Sequence, residues 1–294
     1  MRLSVSVTNF SWPEGPTAIR ASLASMAEFL DGTDVHTLWV ADHLLQADPA
    51  SRRDEPMLEA YTTLGFLAGK TAQLRLGTLV TATTFRDPAV LIKAVTTLDI
   101  LSGGRAWLGL GAGYNADEAR ALGLFLPPTG ERFDRMAELL QLARRMWHGD
   151  ESPFEGRHYR AEQPIGQPRP ITRPPVLIGG TGERRTLRMV AEYADACNLF
   201  DIPNGENMIR RQLDTLARHC SELGRPRREI EHTITTALAP SESAGQLAER
   251  CRSLAGLGIQ HVVVIARGRP WTPSELGVVV SAATQLAKVE PTYL

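Results

Sequence analysis

The chain is short of cysteine, with Cys197, Cys220 and Cys251 widely spaced and odd in number among 294 residues. That pattern argues against a disulfide framework and against a CxxC metal or redox unit. The histidines are scattered too, with no HExxH and no ligand-spaced cluster, so no metal is expected. An excess of one charge is also lacking. A formal net charge of -1 gives no footing for nucleic acid, an acidic partner or a membrane surface. Apolar runs such as Val176–Ile178 and Val262–Ala266 are far too short to span a bilayer. The opening Met1-Arg2-Leu3-Ser4-Val5 alternates polar with apolar residues, unlike the apolar core of a signal peptide, and a cytoplasmic protein is expected.

What is present is an ordinary globular composition, 43% hydrophobic and 22% charged, with room for one large α/β domain or two smaller ones. Short runs rich in β-branched residues recur at Leu3–Val7, Thr37–Ala41, Leu74–Val80, Ala106–Leu110, Val176–Ile178, Ala196–Leu199, Glu231–Thr236 and Gln260–Ile265. Helical periodicity fills the intervals: Ala18–Leu30, Met57–Thr71, Ala89–Leu101, Arg132–Trp147, Arg184–Ala194, Glu206–Leu223, Ser243–Leu257 and Pro273–Lys288. Strands alternating with helices imply right-handed crossovers and a parallel sheet, and eight such units make a closed (β/α)₈ TIM barrel. The rival, an open doubly wound sheet, would be expected to place a glycine-rich loop after its first strand. Thr8-Asn9-Phe10-Ser11-Trp12-Pro13 has no glycine pair. The expectation is one barrel domain over 1–294. Its long interval between the fourth and fifth strands (about 149–175) forms a proline-rich insertion, read either as a lid or as a plain surface extension, with a small hairpin turning at Glu155-Gly156.

In such barrels the chemistry sits at the carboxyl ends of the strands. The second strand ends in Asp42-His43, a titratable pair able to orient a ring or move a proton. The third runs into Thr81-Ala82-Thr83-Thr84, small hydroxyl residues suited to a wall for a flat ring. The fourth gives Gly109-Leu110-Gly111-Ala112-Gly113-Tyr114, and the fifth gives Gly179-Gly180-Thr181-Gly182-Glu183-Arg184-Arg185 opening into a helix. Glycine N–H groups, a helix N-terminus and cations together make a phosphate cradle, although a tight turn that merely needs glycine reads the same way.

These four places, with Trp39-Val40-Ala41-Asp42-His43, Leu98-Asp99-Ile100-Leu101-Ser102-Gly103-Gly104-Arg105, Phe154-Glu155-Gly156-Arg157-His158-Tyr159 and Pro174-Pro175-Val176-Leu177-Ile178-Gly179-Gly180, resemble the luciferase-like monooxygenase superfamily over nearly the whole chain. Within it, the chain looks most like the oxidoreductases that use the deazaflavin coenzyme F-420. The resemblance implies a barrel with an insertion over its mouth and a non-prolyl cis peptide mapping to Leu79–Val80, against which the ring lies. It implies His43 and Asp42 as the catalytic pair, with His43 meeting the substrate. It also implies cofactor contacts from Asp42, Leu79, Val80, Thr81, Thr83, Gly113, Tyr114, Gly179, Gly180, Thr181 and Gly182. Arg184, Arg185 and Arg188 are candidate rim cations for an acidic cofactor tail, and read equally as an ordinary solvated helix face. Two departures stand out. Tyr114 occupies the place of the catalytic glutamate of deazaflavin sugar-phosphate dehydrogenases, and Glu118-Ala119 stands where many relatives have Glu-His. The implied function is hydride transfer between coenzyme F-420 and a small organic substrate. The alternatives are an FMN-dependent monooxygenase fed by a separate reductase, and a non-catalytic flavin-binding sensor. A homodimer and a separate F-420-reducing enzyme are the implied partners.

Overall fold

Residues 1–202 and 205–291 are described by the computed structural model. Each short apolar run becomes a stave: β1 (Arg2–Val7), β2 (Val35–Val40), β3 (Arg75–Thr78), β4 (Thr81–Ala82) and β5 (Leu108–Gly111). A separate antiparallel hairpin, β6 (Phe154–Glu155) and β7 (Arg160–Ala161), interrupts them before β8 (Val176–Gly179), β9 (Ala196–Phe200), β10 (Glu231–Ala237) and β11 (His261–Ile265) complete the series. The nine sheet strands lie in the order β3-β2-β1-β11-β10-β9-β8-β5-β4, all pairs parallel. The two ends, β3 and β4, are consecutive pieces of one run, so the sheet closes on itself as an eight-stave barrel. The run expected to be continuous from Leu74 to Val80 is broken at Leu79–Val80, where the peptide is cis as the resemblance implies. Below the break Leu76 bridges Ala106, just ahead of β5, and Thr78 Oγ1 of β3 donates to Gly109 O of β5 at 3.0 Å; above it β4 pairs Thr81↔Leu110 and Ala82↔Gly111.

Helices form the outer ring: α1 (Pro16–Leu30), α2 (Ala60–Ala68), α3 (Pro88–Ser102), α4 (Ala116–Leu122), α5 (Thr129–His148), α6 (Thr186–Tyr193), α7 (Glu206–Glu222), α8 (Ala244–Gly256) and α9 (Pro273–Leu286). Their starts and stops follow local chemistry. α3 begins on Asp87, whose side chain accepts from Ala89 N at 3.0 Å with Pro88 at the first position, and ends on Gly103 in the left-handed region. α8 and α9 carry reciprocal capping boxes on Ser243–Gln246 and Thr272–Glu275. Among the described residues no helix is long and apolar enough to cross a membrane.

Inside the staves Trp39, Trp107, Leu177, Ala196 and Val263 fill the barrel beneath Leu79 and Val80. Gly77 makes that filling possible, because a Cβ there would lie 2.7 Å from Trp107 Cβ and 2.9 Å from the Trp39 ring. The Leu-Asp-x-Leu-Ser-Gly-Gly-Arg run is structural. Arg105 donates to the carbonyls of Ala68, Thr71, Leu74 and Ser102, and buried Asp99 accepts from Thr172 N at 3.0 Å and Thr172 Oγ1 at 3.1 Å. The run thus knots the base of the barrel to the end of the insertion. The hairpin of the insertion turns at Gly156, and Glu138 of α5 accepts the N–H groups of Arg157, His158 and Tyr159.

Candidate active site

A cavity of about 820 Å³ opens at the carboxyl ends of the staves. Ser6, His43, Val80, Gly111, Gly180 and Asn198 line it from six different strand ends. Among the described residues none of 149–175 lines its wall, whereas Thr129, Arg132 and Phe133 at the start of α5 and residues of the loop after β2 do. Val80 forms a shelf. A Cβ at Gly111 would lie 2.9 Å from its Cγ2 and one at Gly179 3.0 Å from its Cγ1, so glycine on either side leaves the valine face open. The hydroxyls of Ser6 and Thr8 are buried at the cavity with no hydrogen-bond partner, two polar groups available to a ligand.

His43 faces the cavity. Its Nδ1 lies 2.8 Å from Glu118 Oε2, and its Nε2 lies 3.4 Å from the hydroxyl of Tyr114, an exposed side chain on the cavity wall. Glu118 is buried at the first turn of α4, and its Oε1 also accepts from Leu44 N at 2.6 Å and Leu45 N at 3.0 Å. Burial pushes that carboxyl up, but the bonds from His43, Leu45 and Leu44 outweigh it and hold it below the usual range. Partial desolvation of its hydroxyl at the cavity, then the charges of Glu118 and Asp48, push the Tyr114 phenol above its usual range. The resemblance noted Glu118 only for the Ala119 beside it, and patterning gave it no role, because α4 is seven residues long with only Glu118 and Ala119 buried. The signal that could have found it is Asn115, three residues ahead, whose side chain accepts from Glu118 N at 3.0 Å as an N-cap.

Asp42 touches the cavity but its carboxylate is engaged. Arg86 Nη1 and Nη2 donate to Oδ2 and Oδ1 at 2.5 and 2.9 Å, and Thr81 Oγ1 donates to Oδ2 at 2.7 Å. Arg86 also pairs with Glu59 and lies 4.7 Å over the Tyr61 ring, whose hydroxyl bonds Thr81 Oγ1 at 2.9 Å. Thr81 and Thr83 are therefore not among the wall residues. The Thr81 hydroxyl belongs to this network behind the shelf, and Thr83 Oγ1 is buried without a partner while its N–H bonds Gly111 O at 2.9 Å. Asp42 is an anchor of that network, with both of its oxygens bonded to Arg86. Arg86 is a second residue that sequence patterning missed.

Leu79, Val80, Gly113, Tyr114, Gly179 and Gly180 all line the cavity. Thr181 and Gly182 instead line an adjoining open recess that shares Phe133 and Thr186 with it. Gly180 has φ +123°, and a Cβ at Gly182 would lie 2.8 Å from Thr186 Oγ1, so this turn into α6 accepts little besides glycine. Of the three rim arginines, Arg188 is turned away into an ion pair with Glu222 at 2.7 Å. Arg185 lines the recess while donating to Gly130 O at 3.0 Å, and exposed Arg184 has no ion-pair partner among the described residues.

The luciferase-like monooxygenase family model matches residues 1–275. An F420-dependent glucose-6-phosphate dehydrogenase from Kineococcus radiotolerans is 31% identical over 244 residues, 81% of this chain and 69% of that protein. A relative of the same name from Nakamurella multipartita, 31% identical, matches 60% of this chain, which spans half of that protein's length. Among solved structures, EDTA monooxygenase from Chelativorans sp. BNC1 superposes with a TM-score of 0.80 at 15% identity, covering 100% of this chain and 96% of that one. Coenzyme F420 dependent tetrahydromethanopterin reductase from Methanopyrus kandleri gives 0.73 at 16% identity, covering 96% and 98%. The fold is thus shared by monooxygenases and F420 enzymes alike.

Proposed function

Because the chain belongs to the luciferase-like monooxygenase family, we propose that it is an F420-dependent oxidoreductase exchanging a hydride with a small organic alcohol or carbonyl compound. The observation that carries the reading is the joint placement of the Val80 shelf and the His43–Tyr114 pair in one cavity, with the glycine-lined recess adjoining it. A planar ring fits the open valine face, and a phosphate fits the turn Thr181–Glu183 ahead of α6 with Arg184 and Arg185 beside it. When bound, a deazaflavin supplies a ring carbon that takes up or returns hydride.

The chain's own residues do the rest. Val80, between Gly111 and Gly179, would support the ring. The Asp42–Arg86–Thr81 network behind it braces the broken stave, which would keep a bound ring and substrate in register. Phe85, Phe133 and Phe200 exclude water from the mouth. His43 Nε2, with the Tyr114 hydroxyl 3.4 Å away, meets the substrate oxygen and handles its proton. Tyr114 in place of an acidic residue favours a substrate other than a sugar phosphate.

The reading carries with it a cytoplasmic setting, a separate enzyme that turns the deazaflavin over, and a homodimer. Incubation with oxidised coenzyme F420 and a panel of primary and secondary alcohols tests it. Bleaching of the cofactor with one of them supports hydride transfer; inertness toward alcohols, and of the reduced cofactor toward aldehydes and ketones, rejects it. The FMN reading rests on fold likeness alone, to proteins such as EDTA monooxygenase at 15% identity.

A further inference from the structure

We propose that Glu118 is a positioning residue that fixes His43 in the tautomer with its hydrogen on Nδ1, leaving Nε2 as the lone-pair atom that faces the cavity. The inference rests on the reading of His43 as the proton-handling group and adds what makes it one. Glu118 is buried and makes three contacts: Oε1 takes the N–H groups of Leu44 and Leu45, and Oε2 lies 2.8 Å from His43 Nδ1. An ionised carboxylate can only accept, so Nδ1 must donate. In the neutral ring the other nitrogen then has no hydrogen and accepts, and the Tyr114 hydroxyl at 3.4 Å stands where it can donate to it. The Leu44 and Leu45 N–H groups hold the carboxylate from the strand-end loop itself, so the loop that carries His43 also fixes its partner.

The chemistry this supports is directional at the atom. With a deazaflavin bound as hydride acceptor, Nε2 would take the O–H proton of an alcohol as its C–H hydride is given up, leaving the carbonyl product. In reverse, the imidazolium returns that proton to the oxygen as hydride reaches the carbonyl carbon. Glu118, below the imidazolium, stabilises it in both directions.

Glu118→Gln is a sharp probe, because it keeps shape and changes one acceptor to a donor. The amide oxygen must stay with the two backbone N–H groups, so the amide NH₂ is turned to His43 Nδ1. That nitrogen must then accept, and the ring hydrogen moves to Nε2. The test is two-bond ¹H–¹⁵N spectroscopy of the full chain labelled on histidine nitrogen, without cofactor, at about pH 8.5, where an ordinary imidazole is neutral. His43 is assigned by the signals lost in His43→Gln. The expected result is an Nδ1–H ring in the native protein and an Nε2–H ring in Glu118→Gln, seen as an exchange of the two nitrogen shifts. An Nε2–H ring in the native protein, or an unchanged tautomer in a folded Glu118→Gln protein, overturns the inference. Should Glu118→Gln fail to fold, the native tautomer alone decides. No cofactor or substrate is in the sample, so failure of the F420 reading leaves this result intact, and the converse also holds.

Discussion

Arg86 grips Asp42 with both terminal nitrogens, at 2.5 and 2.9 Å, directly behind the break in the third stave. Asp42 is 2% exposed, so removing its partner strands a buried carboxylate. Arg86→Ala should destabilise the protein by about 3–5 kcal/mol, the usual consequence of breaking a buried pair from one side. Arg86→Lys, which keeps charge but loses the fork, should fall between. Urea unfolding of the three proteins checks the order; an Arg86→Ala protein as stable as the native one would show that the pair is not holding the shelf.

His43→Ala should lower kcat by about 10²–10⁴-fold, the range for loss of a positioned acid–base group, while leaving the fold and cofactor affinity unchanged. Its ring lies at the cavity wall. Circular dichroism, a cofactor titration and turnover on any substrate found by the alcohol panel separate these quantities. Near-normal kcat would remove His43 from the chemistry.

Gly180→Val should weaken cofactor binding at least about tenfold, because φ +123° disfavours a branched side chain and a Cβ there would press Thr186 Cγ2 at 3.3 Å. Fluorescence titration measures it. An unchanged dissociation constant would take the phosphate out of this turn.

Acid should destabilise the protein well before its carboxylates titrate as a class. Burial lowers His36 to about 3 and His232 to about 4, so both are neutral in the folded chain. The unfolded chain binds protons at an ordinary imidazole value near 6.5 and the folded chain does not. Their contribution is therefore full above about pH 6.5 and is lost as pH falls toward 4 and then 3. Burial would raise Glu231, but His261 and Arg2 outweigh it and hold Glu231 at about 2, so its share disappears below about pH 4.5. Denaturation midpoints between pH 7.5 and 4 should fall steadily, and His36→Gln should flatten the slope. A level profile across that range contradicts the assignment.

How much of this could be read from sequence differs by residue. The eight staves were legible because β-branched runs separated by helical periods leave little topological choice. The broken third stave was legible only through family likeness, since nothing in Gly77-Thr78-Leu79-Val80-Thr81 spells a cis peptide. Single glycines at 111, 179 and 180 pointed to close approach, and it is found there, against Val80 and Thr186. The roles of Glu118 and Arg86 were not legible, because they lie in partners 75 and 44 residues away in sequence. The same long-range pairing puts the Thr81 hydroxyl in the network behind the wall, while Asp42 both joins that network and lines the cavity.

The central claim is the cofactor, and one measurement tests it most directly: titration of coenzyme F420 and FMN into the protein side by side, at two salt concentrations. The Val80 shelf and the glycine turn serve either ring and phosphate, whereas a longer acidic tail should gain from Arg184 and Arg185 at the recess. Micromolar or tighter F420 binding that weakens with salt, beside much weaker FMN binding, is the predicted result. Tighter binding of FMN than of F420 would contradict the account.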